Sequence, residues 1–158
     1  MEKEDIIFLR NFLENFFSLA NFKDVTLEIK ESSEKVINVN IFVDQDKIIS
    51  GVLIGKNGSH LEVFSYLLNL IYQKRFPENK KTITFDVNNY RLVYEEKLRN
   101  LALEIAKKVS LLKKPVELPP MKAKDRRIIH LALSLLPDIK TESIGEGKER
   151  HIVIKPIE

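Results

Sequence analysis

No cysteine occurs anywhere in the 158 residues, which excludes a disulfide framework and a thiolate metal site and suits a reducing cytosol. Tryptophan is missing too. No apolar run is long enough to span a bilayer, and the opening Met1-Glu2-Lys3-Glu4-Asp5 is acidic where a secretory signal is basic. A cytoplasmic protein without membrane insertion is therefore expected. No Ser-His-Asp or nucleophile-elbow pattern occurs, and no Walker glycine loop. His60, His130 and His151 are scattered with no paired carboxylate motif, so neither a metal nor another cofactor is expected. Glu95 and Glu96 are neighbours on a predicted helix, hence on different faces and a poor acid–base couple. The pattern is not that of an enzyme. There is no internal repeat and no low-complexity tract.

What is present describes a folded protein. Hydrophobic residues make up 44% and charged residues 31%, enough for one ordinary domain or two small ones. The net charge of +3 is unevenly spread. Residues 1–50 hold 6 Lys/Arg against 10 Asp/Glu, whereas residues 51–158 hold 20 against 13. The positive excess begins near residue 51 and suits a polyanionic partner, although a lysine-rich solvated surface gives the same count.

Hydrophobic spacing sets the elements. Phe8, Phe12 and Phe16 with Leu9, Leu13 and Phe17 predict a helix over 6–20. Two alternating runs, 25–30 and 37–43, predict a hairpin about the polar turn Glu31-Ser32-Ser33-Glu34. A short apolar segment after Gly51, the loop Gly55-Lys56-Asn57-Gly58 and a helix to about Lys74 come next. The stripe of that helix is Leu61, Phe64, Leu68 and Ile71, and a strand follows at 82–87. The first part thus reads α-β-β-α-α-β, a helix-loop-helix packed on a three-stranded sheet. A long helix over 90–113 carries Leu98, Leu101, Ala102, Ile105, Val109 and Leu112 toward a core, with Glu95–Arg99 and Glu104–Lys108 as favourable pairs on its exposed side. The proline-rich stretch 115–120 breaks it. A helix over 123–136 and two strands, 140–143 and 150–155, complete the chain.

Two constellations carry chemistry. The glycines of Gly55-Lys56-Asn57-Gly58 leave almost no bulk near the backbone, so the main chain can press against a sugar–phosphate strand while Lys56 supplies counter-charge. Ile54 and Val52 are candidates for an apolar shelf under unstacked bases, and Asn57 for a polar contact. The loop precedes a helix N-terminus, which favours an anion. The same glycines also fit a plain structural turn. The second constellation is Arg126-Arg127-Ile128-Ile129-His130. Arg126 and His130 lie within about 40° of one another around a helix. They share a polar stripe with Arg127 and Ser134, while Ile128, Ile129, Leu131, Ala132, Leu133, Leu135 and Leu136 fill the remaining arc. Cations four residues apart give the helix nothing; they make sense around a bound anion.

Residues 5–88 resemble a KH domain of the αββααβ, type II-like arrangement, the likeness resting on Val52-Leu53-Ile54-Gly55-Lys56-Asn57-Gly58 and the apolar helix after it. The resemblance implies a groove that clamps about four nucleotides of a single strand. The Arg126–His130 spacing is similar to an R-three-H domain, and Leu118-Pro119-Pro120-Met121 before it, with Thr141-Glu142-Ser143, Gly145-Glu146-Gly147 and Arg150 after it, extend the likeness. That family is associated with single-stranded nucleic acids. A KH domain over 1–88 followed by an R-three-H domain over 89–158 resembles the bacterial Jag family, also called KhpB.

The expected fold is accordingly α+β: a three-stranded KH sheet under helices, then a small α/β R-three-H domain. The resemblance implies a post-transcriptional regulator that binds single-stranded RNA, or single-stranded DNA, and is linked to cell elongation and division. A small single-KH protein or a second copy is the implied protein partner. The alternative is an adaptor that dimerises through the KH domain. Members often carry an additional N-terminal domain and linker, whereas this sequence opens almost at once with the lead helix. The residues expected to touch nucleic acid are Ile54, Gly55, Lys56, Asn57, Gly58, Arg126, Arg127, His130 and Arg150. His60 is open between a contact and a helix-terminal surface role, and Arg150 is favoured over its neighbour His151. Tyr66, Tyr72, Tyr90 and Tyr94 are read as residues at the core boundary, with Tyr90, near the domain junction, open as a base-stacking platform. Lys122, Lys124 and Lys148 are open between backbone contacts and solubilising charge.

Overall fold

The computed structural model describes residues 3–43 and 47–157. The chain divides into two compact units, Met1–Arg91 and Leu92–Glu158, each α+β.

In the first unit α1 (Glu4–Leu19) is followed by β1 (Val25–Ser33) and β2 (Val36–Val43), then α2 (Lys47–Ile54), α3 (Ser59–Arg75) and β3 (Thr82–Val87). The sheet order is β1-β2-β3, with β1 antiparallel and β3 parallel to β2. Alternation places Ile37, Val39, Ile41 and Val43 of β2 with Ile83, Phe85 and Val87 of β3 on one buried face. Leu9, Leu13 and Phe17 of α1 and Leu61 and Leu68 of α3 complete this core. The hairpin differs from expectation. β1 runs on through Ser33, with a register shift between Glu31 and Ser33, so the turn falls at residues 34–35. Asp44, at the start of the next connection, lies outside the described residues.

A buried polar cluster closes one end of this unit. The Asp5 carboxylate accepts hydrogen bonds from the Tyr72 hydroxyl at 2.9 Å, from Lys81 Nζ at 2.7 Å and from Asn79 at 3.3 Å. Lys81 also reaches Glu31 at 2.6 Å. Burial pushes the Asp5 carboxyl up, but Lys81, the Tyr72 hydroxyl and the Ile6 N–H together outweigh it and hold it below the usual carboxylate range. Burial pushes Lys81 down, and its bonds to Asp5 and Glu31 more than reverse that. Tyr72 is thus a fully buried side chain rather than a boundary residue.

The second unit contains most of α4 (Tyr90–Leu112), then β4 (Val116–Glu117), α5 (Ala123–Leu133), β5 (Ile139–Ile144) and β6 (His151–Pro156). Its sheet order is β4-β6-β5, antiparallel throughout. Ala102, Ala106 and Val109 of α4 pack with Ile129 and Leu133 of α5 and with Ile139, Ile152 and Ile154 of the sheet. Leu101 and Leu112 do not face this core: both are exposed, and Ala106 takes the inward position. Ala102 and Val109 are buried as the spacing predicts, and Ala106, a small residue that a leucine-weighted pattern passes over, joins them. α5 is one turn shorter than predicted, ending at Leu133, and Leu131 and Leu135 are exposed.

Candidate nucleic-acid interface

The apolar segment ahead of the glycine loop is the last turn of α2. Leu53 is buried, Ile54 packs partly on the core, and Val52 is 53% exposed. The loop then makes a single 3-10 turn over Lys56–Gly58. Gly55 has φ +68° with ψ 179°, a region open to glycine alone, and Asn57 (φ +52°) and Gly58 (φ +75°) are left-handed. Three positive φ angles in four residues turn the chain sharply from α2 into α3.

Close packing also requires glycine at position 55 and is tight at Gly58. A Cβ on Gly55 would lie 2.5 Å from the His60 ring, and one on Gly58 would lie 3.1 Å from the ring of Tyr90. His60 folds back over the loop, and its Nδ1–H donates to the carbonyl oxygen of Val52 at 2.6 Å. The histidine left open between two roles is therefore the brace of the turn, and Tyr90 is its second wall. Lys56 and Asn57 remain exposed, and the Lys56 side chain forms no hydrogen bond or ion pair among the described residues.

Beside α3 runs a polar groove that hydrophobic spacing does not mark. Asn38, Asn40, Thr82, Thr84 and Asp86 of the sheet line it with Glu62, Ser65 and Asn69 of α3 and with Asn89 and Arg91. The outer edge of β3 is capped by side chains: Asn69 accepts from the Ile83 N–H and donates to its carbonyl, Ser65 accepts from the Phe85 N–H, and Arg91 donates to the Phe85 carbonyl. Capping of this kind keeps an edge strand from pairing with another chain. Asn40 Oδ1 and Arg91 Nε are buried without a partner among the described residues, polar capacity that a ligand's donors and acceptors can use.

In the second unit the arginine–histidine helix is α5. Arg127 and His130 are exposed, and the Arg127 side chain forms no bond among the described residues. Arg126 is half-buried, and its Nη1 donates to the Met121 carbonyl at 2.7 Å, tying α5 to the proline-rich segment before it. His130 Nδ1 lies 2.5 Å from Thr141 Oγ1 on β5. Arg150 Nε donates to Ser143 Oγ at 3.1 Å. Thr141 and Ser143 stand two residues apart on the strand and share the face on which Ile139 meets the core. One edge of the unit therefore gathers His130, Thr141, Ser143 and Arg150.

His151 goes elsewhere: its Nδ1–H donates to the Glu149 carbonyl and its Nε2 stands 3.8 Å from Glu117. Lys124 pairs with Glu95 at 2.9 Å and is partly neutralised. Gly145 is needed for its φ of +86° and because a Cβ there would meet the Glu149 carbonyl oxygen at 2.9 Å, which fixes the turn that delivers Arg150. Among the described residues no group of three or more acidic, histidine or cysteine side chains is placed to hold a metal, and no helix is long and apolar enough to cross a membrane.

An arginine–histidine helix packed on a three-stranded antiparallel sheet defines the class of the second unit: residues 96–156 match the R-three-H domain. Across most of its length the chain is homologous to bacterial proteins named RNA-binding protein KhpB. The relative from Clostridium symbiosum is 39% identical over 144 residues, 90% of this chain and 62% of the relative. That from Bacillus subtilis (strain 168) is 37% identical over 139 residues, 87% of this chain and 63% of the relative. A third, from Lactiplantibacillus plantarum, is 29% identical over 109 residues, 69% of this chain and 34% of the relative. The chain thus spans less than two thirds of the length of these relatives.

Proposed function

We propose that this protein binds single-stranded RNA through two separate surfaces, without catalysis. The observation that carries the reading is the glycine turn: its backbone is held open by three positive φ angles and braced by His60, and it presents Lys56, exposed and with no side-chain bond among the described residues, in the same unit as an amide-lined groove. Phosphates suit the loop and Lys56, while unstacked base edges suit the amides and hydroxyls along β3. On this reading the first unit is a KH domain, over about the residues 1–88 given above. In the R-three-H unit Arg127, His130 and Arg150 take phosphates, and Leu131, 60% exposed one residue from His130, offers a base an apolar surface. The names of the relatives support RNA over DNA. Two modest sites on one chain raise each other's effective concentration. The lack of cysteine supports a cytoplasmic setting. Regulation of cell elongation and division belongs to the same proposal and rests on the resemblance alone. Fluorescence anisotropy with an oligouridylate and with a duplex RNA of equal charge tests the reading; preference for the duplex contradicts it.

One feature favours a protein partner as well. Val63, Tyr66, Leu67 and Leu70 lie within about 100° of arc on α3 and are all exposed, an apolar stripe suited to a small single-KH protein or a second copy. Leu67→Glu should leave a monomer whose RNA affinity is unchanged. If light scattering gives one mass for wild type and variant, this stripe is not an interface.

A further inference from the structure

His130 has two ring nitrogens, and among the described residues only one of them is engaged. Nδ1 meets Thr141 Oγ1 at 2.5 Å, while the side chain as a whole is exposed. A neutral imidazole carries one N–H and one lone pair, so whichever role Nδ1 plays toward Thr141 assigns the opposite role to Nε2. A hydroxyl can donate or accept, and the choice decides what the ring offers to solvent. If Nδ1–H donates to Thr141, the outer nitrogen is a lone pair, which repels a phosphate oxygen. If Thr141 donates, the outer nitrogen is an N–H donor without any added proton.

We propose that Thr141 is a positioning residue: its hydroxyl donates to Nδ1 of His130 and holds the neutral ring as the Nε2–H tautomer, a fixed donor to an RNA phosphate. The inference deepens the RNA-binding reading of the R-three-H unit and rests on it for the identity of the ligand. Thr141 suits the part. It is half-buried on a strand paired residue by residue with β6, opposite Ile154, so its backbone is fixed. Being β-branched, its side chain has few rotamers, and its hydroxyl is held where α5 presents His130. Ser143, next along the same face, bonds Arg150, so one strand aims two donors drawn from different parts of the chain.

Long-range proton–nitrogen NMR on the full chain, labelled with nitrogen-15 in histidine, reads the tautomer of His130 directly in the absence of RNA. The expected result is Nε2–H in the wild type and in Thr141→Ser, with a mixture of tautomers in Thr141→Val. Valine is nearly isosteric and favours strands, so the variant should fold, which its amide spectrum checks. Binding to a fluorescein-labelled oligouridylate should weaken about fivefold in Thr141→Val, the scale of one hydrogen bond, and recover in Thr141→Ser. An Nδ1–H ring in the wild type, or equal affinity of Thr141→Val and wild type, overturns the assignment. A wild type that carries Nε2–H yet binds no oligouridylate overturns the RNA reading instead, so the two failures are distinct.

Discussion

The ring of His60 lies across Gly55, close enough that a single methyl group on the glycine would sit 2.5 Å from it. Brace and hinge are five residues apart, and the hydrogen bond from His60 to Val52 spans the turn between α2 and α3. The open loop is thus a packed structure rather than a slack one.

Gly55→Ala should destabilise the first unit by about 1–3 kcal/mol, because φ +68° with ψ near 180° strains any side chain. His60→Ala in the same chain should recover only the part due to collision, since the backbone angle stays. Urea unfolding of the single and double variants measures this. Full recovery in the double variant would mean the strain is steric only.

The two arginines of α5 should separate. Arg127→Ala removes a cation whose side chain has no partner among the described residues, so the dependence of log affinity on log salt should flatten by about 0.7 for one lost single-strand phosphate contact, with the unfolding midpoint unmoved. Arg126→Ala loses the bond to the Met121 carbonyl and should cost about 1.5–3 kcal/mol of stability, the scale of a charged hydrogen bond. Salt titration and urea unfolding of each variant distinguish the roles.

The Asp5 cluster gives stability a pH signature. The folded Asp5 carboxyl sits below its ordinary range, so its contribution is fully present above the unfolded carboxylate value and is lost as pH falls through the folded one. Lys81 sits above its ordinary range, so its contribution holds below the unfolded lysine value and fades as alkali passes the folded one. Urea midpoints should be flat through neutrality and drop in strong acid, with the acid limb reduced in Asp5→Asn. Lys81→Met leaves a buried carboxylate without its cation and should cost about 3–5 kcal/mol.

Much of this was legible from spacing. The alternation in β2 and β3 and the phenylalanine stripe of α1 are strong signals, because burying one face of an element forces its period on the sequence. The α4 seam was legible in part: Ala102 and Val109 were marked and are buried, whereas Ala106 buries fully but weighs little in a hydrophobic pattern, and Leu101 and Leu112 misled in return. Glycine pairs and the arginine–histidine spacing marked both loop and helix. The brace of His60, the capping of β3 by Asn69 and Ser65, and the Thr141 and Ser143 partners are contacts between elements, set by how the chain folds back, and no local period encodes them. Arg126 shows the limit most plainly. From spacing it equals Arg127, yet one side chain is bonded to Met121 and the other has no partner among the described residues.

As proposed, the glycine turn and the arginine–histidine helix act as two independent phosphate-binding surfaces. Titration of an oligouridylate over a series of salt concentrations, with Lys56→Asp/Asn57→Asp, with Arg127→Ala/Arg150→Ala and with all four substitutions, tests it most directly. Each pair should lower affinity and flatten the salt slope, and the fourfold variant should flatten it by the sum of the two. A slope that neither pair alters, in variants that fold as the wild type does, would contradict the account.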